Sequence, residues 1–266
     1  MLRNVFLKTL RDRRRSLIGW MIGLAASVAF VSAFYPTIRE SAADFESLIE
    51  TIPEELLAVT GRTADIANPE GYLNSQLFNL LIPLLLLVFT IAFGSRTVAG
   101  EERRGLLELV LATPIPRWRL VAEKFAAMLA ATFLLGTVLW ASLVLAGPLA
   151  ELDVDRGRLA QAILSAVLLA LSFGTLALAV GSATGRRALA SGITSAVALA
   201  AYLVNAFAPL TDSLDTVKGF SPFYYYNAAD PLRNGADPAH LAFLVVLVFA
   251  FVTIALITFD RRDLAV

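Results

Sequence analysis

Six apolar runs decide what this chain can become. They cover approximately residues 17–34, 77–93, 125–146, 159–183, 188–207 and 241–259. Each is close to the roughly 20 residues that carry a helix across about 30 Å of hydrocarbon. In lipid every backbone N–H and C=O must be satisfied inside the segment, so runs of this length fold as helices and no sheet is required. Composition agrees: 58% of residues are hydrophobic and 17% charged, with a mean hydropathy of +0.71. Soluble domains lie near 45–50% apolar and about 25% charged. The expectation is an all-α integral membrane protein, residues 1–266 forming a single transmembrane domain of six helices.

The first run has a rival reading. An arginine-rich start, an apolar stretch and Val31-Ser32-Ala33 also resemble a cleavable signal peptide, although signal h-regions run only about 7–15 residues. The fourth and fifth runs are separated by a short Gly185-Arg186-Arg187 corner, which predicts a tight helical hairpin. Counting Lys and Arg in the connections orients the set, because cytoplasmic loops carry the excess. With six spans, sixteen of the 22 basic residues fall on the side of the two termini, and the remaining six share the other side with most of the acids. Both termini are therefore expected to be cytoplasmic, in a multi-pass plasma-membrane protein.

Two flanking segments are predicted to be amphipathic. In 1–15, Leu2, Val5, Phe6, Thr9 and Leu10 share one helical face while Arg3, Lys8, Arg11 and Arg14 lie mostly opposite. That pattern predicts an interfacial helix bound to anionic membrane lipid. The external region 36–75 contains Ser41 to Gly61, with Phe45, Leu48, Ile49, Ile52, Leu56, Leu57 and Val59 against Glu46, Glu50, Glu54 and Glu55. It reads either as a helical cap over a transport path or as a helix lying on the outer leaflet.

The spans contain no Asp, Glu, Lys, Arg or His. Ionisable groups at membrane depth cost at least about 2.5–3.5 kcal/mol and persist for function. Their absence argues against a proton- or sodium-coupled carrier, and no filter-like sequence supports a channel. With no cysteine and one histidine, His240, a metal centre is not expected. Zero net charge gives no basic field for nucleic acid. None of Lys8, Lys124 or Lys218 sits in a phosphate-binding Gly-x-x-x-x-Gly-Lys-Ser/Thr loop. If the chain moves a substrate uphill, the energy enters through another subunit, so no cofactor is expected on this chain and it is not itself an enzyme.

Between the second and third runs, in the cytoplasmic region 97–120, lies a charged island: Gly100-Glu101-Glu102-Arg103-Arg104-Gly105-Leu106-Leu107-Glu108, then Val110, Leu111, Pro114, Pro116, Arg117 and Lys124. Leu106, Leu107, Val110 and Leu111 form one helical stripe, and Glu101, Arg104 and Glu108 approach one another on another face. Pro114 and Pro116 end the helix before the chain re-enters the membrane. These residues resemble the membrane permease subunits of type-2 ABC transporters, the exporter class. The matching pattern is Glu101, Glu102, Gly105, Leu107, Glu108, Leu111, Pro114, Arg117 and Lys124. Ser221-Pro222-Phe223, Pro231-Leu232-x-x-Gly235 and Phe259-Asp260-Arg261-Arg262-Asp263-Leu264 extend it over nearly the whole chain.

The resemblance implies a coupling helix, Glu101 to Pro114, seated in a groove of a cytosolic ABC ATP-binding subunit that holds ATP and magnesium. It also implies a second permease, as a homo- or heterodimer, and a substrate route between the two. The first and fifth spans would meet at that interface, where Gly192, Ala196 and Ala200 allow close approach. Gln76, Asn79 and Pro83 share one face of the second span and are candidates for the substrate path. Pro83 is expected to kink that helix and free backbone carbonyls. Phe220 to Gly235, with Tyr224-Tyr225-Tyr226, reads as a partly re-entrant external segment or a simple aromatic anchor. The functional expectation is a permease for a hydrophobic or amphipathic compound such as a drug, antibiotic, lipid or peptide. The alternative is a membrane scaffold or biogenesis factor that acts on an external protein.

Overall fold

The structure is a computed structural model that describes residues 5–41, 68–97, 116–208 and 218–262. These residues contain helices and no strand. Six helical rods are long and apolar enough to cross a membrane: Val5–Glu40, Pro69–Thr97, Arg117–Leu149, Arg156–Thr184, Arg187–Phe207 and Pro238–Arg261.

Helix α1 (Val5–Glu40) runs through Arg11 to Arg15 without interruption, so the separate interfacial helix expected over 1–15 is continuous with the first span in its described part. No glycine or proline separates Leu10 from Leu17, and Arg and Leu are good helix formers. The cluster's one partly buried arginine is accommodated by packing: the Arg13 guanidinium lies 3.9 Å from the centre of the Phe93 ring and donates to the Phe93 carbonyl at 3.4 Å.

The second rod is composite. Helix α2 (Pro69–Leu73) passes into a π-helical turn (Asn74–Phe78) and then into α3 (Leu81–Thr97). The Asn79 amide donates five residues back, to the Asn74 carbonyl, at 2.8 Å. Pro83 has no amide to give, and the irregularity lies in the turn before it. The Phe78 carbonyl accepts the hydroxyl of Tyr226, a residue distant in sequence.

Helix α4 (Arg117–Ala146) ends in a 3-10 turn at Gly147–Leu149. Helix α5 (Arg156–Thr184) starts at Asp155, whose carboxylate accepts the Arg158 amide at 2.8 Å, and stops at Gly185. Gly185 has φ +66°, a conformation in which a side chain is strained, and it turns the chain into α6 (Arg187–Phe207). The described stretch between α6 and the last span forms two short helices, α7 (Pro222–Asn227) and α8 (Pro231–Asn234), before α9 (Pro238–Arg261).

Helix α5 occupies the centre. In its most apolar window 83% of residues are buried, against 17% for α6. The contact of α5 with α3 is close because Gly94 faces the Gly174 backbone and the Thr90 hydroxyl reaches across to the Ala170 carbonyl at 2.7 Å. Small residues permit such approach where lipid supplies no hydrophobic drive between helices. Helix α1 packs on α4, and α9 on α5 and α4. The start of α1 and the ends of α3, α5 and α9 meet the starts of α4 and α6 at one end of the bundle, here called the basal end.

Candidate functional site

A groove of about 420 Å³ lies between α3 and α6. Helix α6 packs on both α5 and α3 and buries Ala190, Thr194 and Ala198, and the groove runs along its seam with α3. Leu87, Val88, Ile91 and Leu199 form the middle of the wall. Polar groups collect at the ends. Ser95, Arg187 and Ser191 line the basal end and Asn79 and Tyr202 the far end, where Phe223 also joins the wall, while Ser195 stands midway along α6.

Of the three residues expected on the substrate path, Asn79 and Pro83 line this groove. Gln76 is half-buried in the π turn and is not on the wall. Periodicity along one helix did not point to Ser95 or to the α6 residues, since the second wall comes from elsewhere in the chain. Ser95 is 1% exposed and its hydroxyl has no hydrogen-bond partner among the described residues.

The short helices α7 and α8 pack near the far end, where Phe223 joins the wall. The buried Tyr226 hydroxyl donates to Phe78, and burial pushes its pKa up. The Asn227 amide approaches the Asn79 side-chain oxygen at 3.5 Å, and the Ser221 hydroxyl donates to the Ala201 carbonyl at 2.7 Å. Tyr225 stacks on Phe243 at 3.7 Å between centroids and sits edge-on to His240 at 5.3 Å. Asp230, at φ +44°, has its carboxyl pKa raised by burial, against the opposing pull of the Arg233 guanidinium 3.7 Å away.

The coupling residues expected from Glu101 to Pro114, namely Glu101, Glu102, Arg103, Arg104, Gly105, Leu107, Glu108, Leu111 and Pro114, lie outside the described residues, as does the amphipathic segment expected from Ser41 to Gly61 beyond Ser41. The chain on either side of residues 98–115 is described, and both margins are fastened. On one side the Lys124 ammonium, 1% exposed, donates to the Thr97 carbonyl. On the other, Arg117 donates to the Arg262 carbonyl at 2.9 Å. Arg262 in turn donates to the Ser182 carbonyl at 3.4 Å and places its guanidinium against Gly185. The basal end of α1 joins the same cluster, its Phe6 amide donating to Glu123 at 3.2 Å while Arg119 pairs with Glu123 at 2.8 Å. Arg117 is thereby linked to the corner between α5 and α6.

Gly192, Ala196 and Ala200 lie on the face of α6 opposite its buried Ala190, Thr194 and Ala198, and all three are exposed. A Cβ added at Gly192 would meet nothing within 4 Å.

Six helices long and apolar enough to cross a membrane, among the described residues, define a polytopic helical membrane protein, with a largely apolar groove between two of them. A search among curated proteins finds no match. A family model, described as ABC-2 family transporter protein, matches residues 3–264. The chain belongs to the ABC-2 transporter family and is a membrane permease of an ABC transporter. Membership implies association with an ABC ATP-binding subunit, because permeases of this family generally lack an ATPase site of their own.

Proposed function

We propose that this chain is the permease of an ATP-driven exporter for a hydrophobic or amphipathic compound, with the α3–α6 groove as its half of the substrate route. The observation that carries the reading is the groove itself: an apolar wall along the depth of the bundle, bounded at both ends by polar groups. In this reading the basal end is cytoplasmic, which the excess of Lys and Arg on that side supports. Residues 101–114 then engage the cytosolic ATP-binding subunit, which holds ATP and magnesium.

Closure of two such subunits on ATP moves the two coupling segments. Their motion passes through Arg117 and the Arg262 anchor to the α5–α6 corner, and so to one wall of the groove. The exposed face with Gly192, Ala196 and Ala200 meets a second permease, and the two grooves open toward a shared route. The energy enters through the partner, consistent with spans free of ionisable groups.

Reversing the charges of Glu101 and Glu102 tests the coupling. The expected result is loss of transport and of the co-purifying ATP-binding subunit, with normal membrane abundance. Normal transport by that variant at normal abundance would overturn the assignment.

A further inference from the structure

We propose that Lys124 is a positioning residue for energy coupling: its buried ammonium holds the start of α4 in register with the end of α3, the two points where the chain leaves and re-enters the bundle around the coupling segment. This inference rests on the reading of residues 101–114 as that segment and adds what keeps its motion from being lost between the helices.

Lys124 is 1% exposed and ranks among the largest fully buried side chains of the described residues. Its ammonium donates to the carbonyl of Thr97, the last residue of α3. That end of a helix carries the negative pole of the macrodipole and carbonyls that its own turns leave unsatisfied. A second cation reaches the same turn from another helix. Arg13 of α1 donates to the Phe93 carbonyl at 3.4 Å and lies over the Phe93 ring. The Thr97 hydroxyl donates to Phe93 as well, so the last turn of α3 is bonded to α1, to α4 and to itself.

Apolar packing already seats the same part of α4. Leu120 and Val121 are buried with Leu178 and Ala179 of α5 and with Ala255 and Phe259 of α9, in a small core separate from the main one. Burial is non-directional; it makes the helices meet and does less to set their register. A methionine at position 124 would extend that core. Replacing a buried charge by an apolar side chain of similar volume is often neutral or stabilising, so stability alone does not account for a lysine here. What the ammonium supplies and a thioether cannot is a directional bond between two helix ends. Arg117, two turns earlier on the same face of α4, does the same toward α9 by donating to the Arg262 carbonyl at 2.9 Å. Glu123 accepts the Phe6 amide of α1 at 3.2 Å. The first two turns of α4 are thereby bonded to three other helices, and displacement of residues 101–114 reaches the α3 wall of the groove instead of being spent as rocking of α4.

The chain has no cysteine, so introduced ones alone carry nitroxide labels. One pair is Arg96→Cys, exposed at the end of α3, with Trp118→Cys, 55% exposed at the start of α4. Their separation is read by pulsed dipolar spectroscopy in the full chain in phosphatidylcholine nanodiscs, diluted with unlabelled chain. The parent should give one narrow separation. Lys124→Met should raise the population outside that peak about tenfold, the ratio supplied by loss of one hydrogen bond to a charged group. Its melting midpoint should stay within about 4 °C of the parent. Lys124→Arg, which keeps a charged donor, should restore part of the narrow peak. A second pair, Leu84→Cys and Leu199→Cys on facing walls of the groove, reads coupling in the whole complex. ATP with vanadate should shift that separation in the parent, and in Lys124→Met the shift should shrink severalfold while ATP is still hydrolysed. An unchanged first separation, or a full ATP-driven shift in Lys124→Met, would overturn the proposal. A midpoint that falls far below the parent would make Lys124 a stabilising residue and overturn it too. Reversal of Glu101 and Glu102 separates the two readings. Loss of the shift in that reversal but not in Lys124→Met would discard the role of Lys124 and keep the coupling segment. A full shift in the reversal would remove the coupling segment, and the role of Lys124 with it.

Discussion

Gly94→Ala and Gly192→Ala are the same substitution in two spans, and the structure gives them opposite signs. A Cβ built on Gly94 would stand 2.2 Å from the Gly174 carbonyl oxygen, 3.1 Å from the Leu178 amide nitrogen and 3.2 Å from the Ala177 Cβ, where ordinary contact begins at 3.4 Å. Two of the three neighbours are backbone, so no side chain can rotate away, and α3 must separate locally from α5 by about an ångström. Overpacking of this kind costs typically about 1–3 kcal/mol. Separation also strains the hydrogen bond from Thr90 to Ala170 one turn away, worth about 1 kcal/mol. Replacing a helical glycine by alanine returns about 0.5–1 kcal/mol. The balance for Gly94→Ala is a loss of about 2 kcal/mol. At Gly192 the new methyl meets nothing within 4 Å, so only the favourable helix contribution of about 0.5–1 kcal/mol remains. Thermal unfolding of the purified single chain in detergent, followed by tryptophan fluorescence, should lower the midpoint for Gly94→Ala by about 4–8 °C and leave Gly192→Ala equal to or slightly above the parent. A Gly94→Ala protein as stable as Gly192→Ala would show that the α3–α5 contact is not as close as described, and the reasoning would fail.

Other substitutions probe the fastenings. Tyr226→Phe leaves the Phe78 carbonyl of the π turn without its donor, with an expected loss of about 1–3 kcal/mol in the same melting assay; Tyr225→Phe, which keeps the stack on Phe243, serves as the comparison and should be near neutral. Gly185→Ala meets both a φ of +66° and the Arg262 guanidinium 2.2 Å from the new carbon; it should cost at least about 1 kcal/mol and expose the basal end to limited proteolysis. Asp230 gives a pH signature. Because burial raises its folded pKa above the unfolded value, the native state binds this proton more readily than the unfolded chain does. Its ionisation therefore subtracts stability above the folded pKa, and that loss is recovered as the pH falls through it. Asp230→Asn, which tolerates the left-handed backbone, should flatten this contribution in melting curves taken from neutral to acidic pH. An unchanged slope would assign the pH dependence to other groups.

How much of this was legible in the sequence depended on distance along the chain. Six spans and the short corner at Gly185 follow from hydropathy and local backbone chemistry, both of which act within a helix or a turn. The placement of Asn79 and Pro83 together on one wall follows from helical period alone. The identity of the opposite wall does not, because period says which residues share a face and is silent on which helix that face will meet. Ser95 and Arg187 are 92 residues apart in numbering and line one groove only because α6 packs beside α3 as well as on α5. Lys124 reads in sequence as one more basic residue at a membrane margin; its burial against the Thr97 carbonyl depends on α3 ending beside the start of α4.

By itself, then, the chain's sequence determined a helical membrane protein of six spans, through a solvent that forbids unpaired backbone groups, and the charged island that carried the family resemblance. Tertiary structure alone decided which glycine is a contact and which is open surface, where the groove lies, and which polar groups face into it. Those are relations between helices far apart in the chain, set by the fit of small residues at their crossings, and a one-dimensional pattern does not encode that fit.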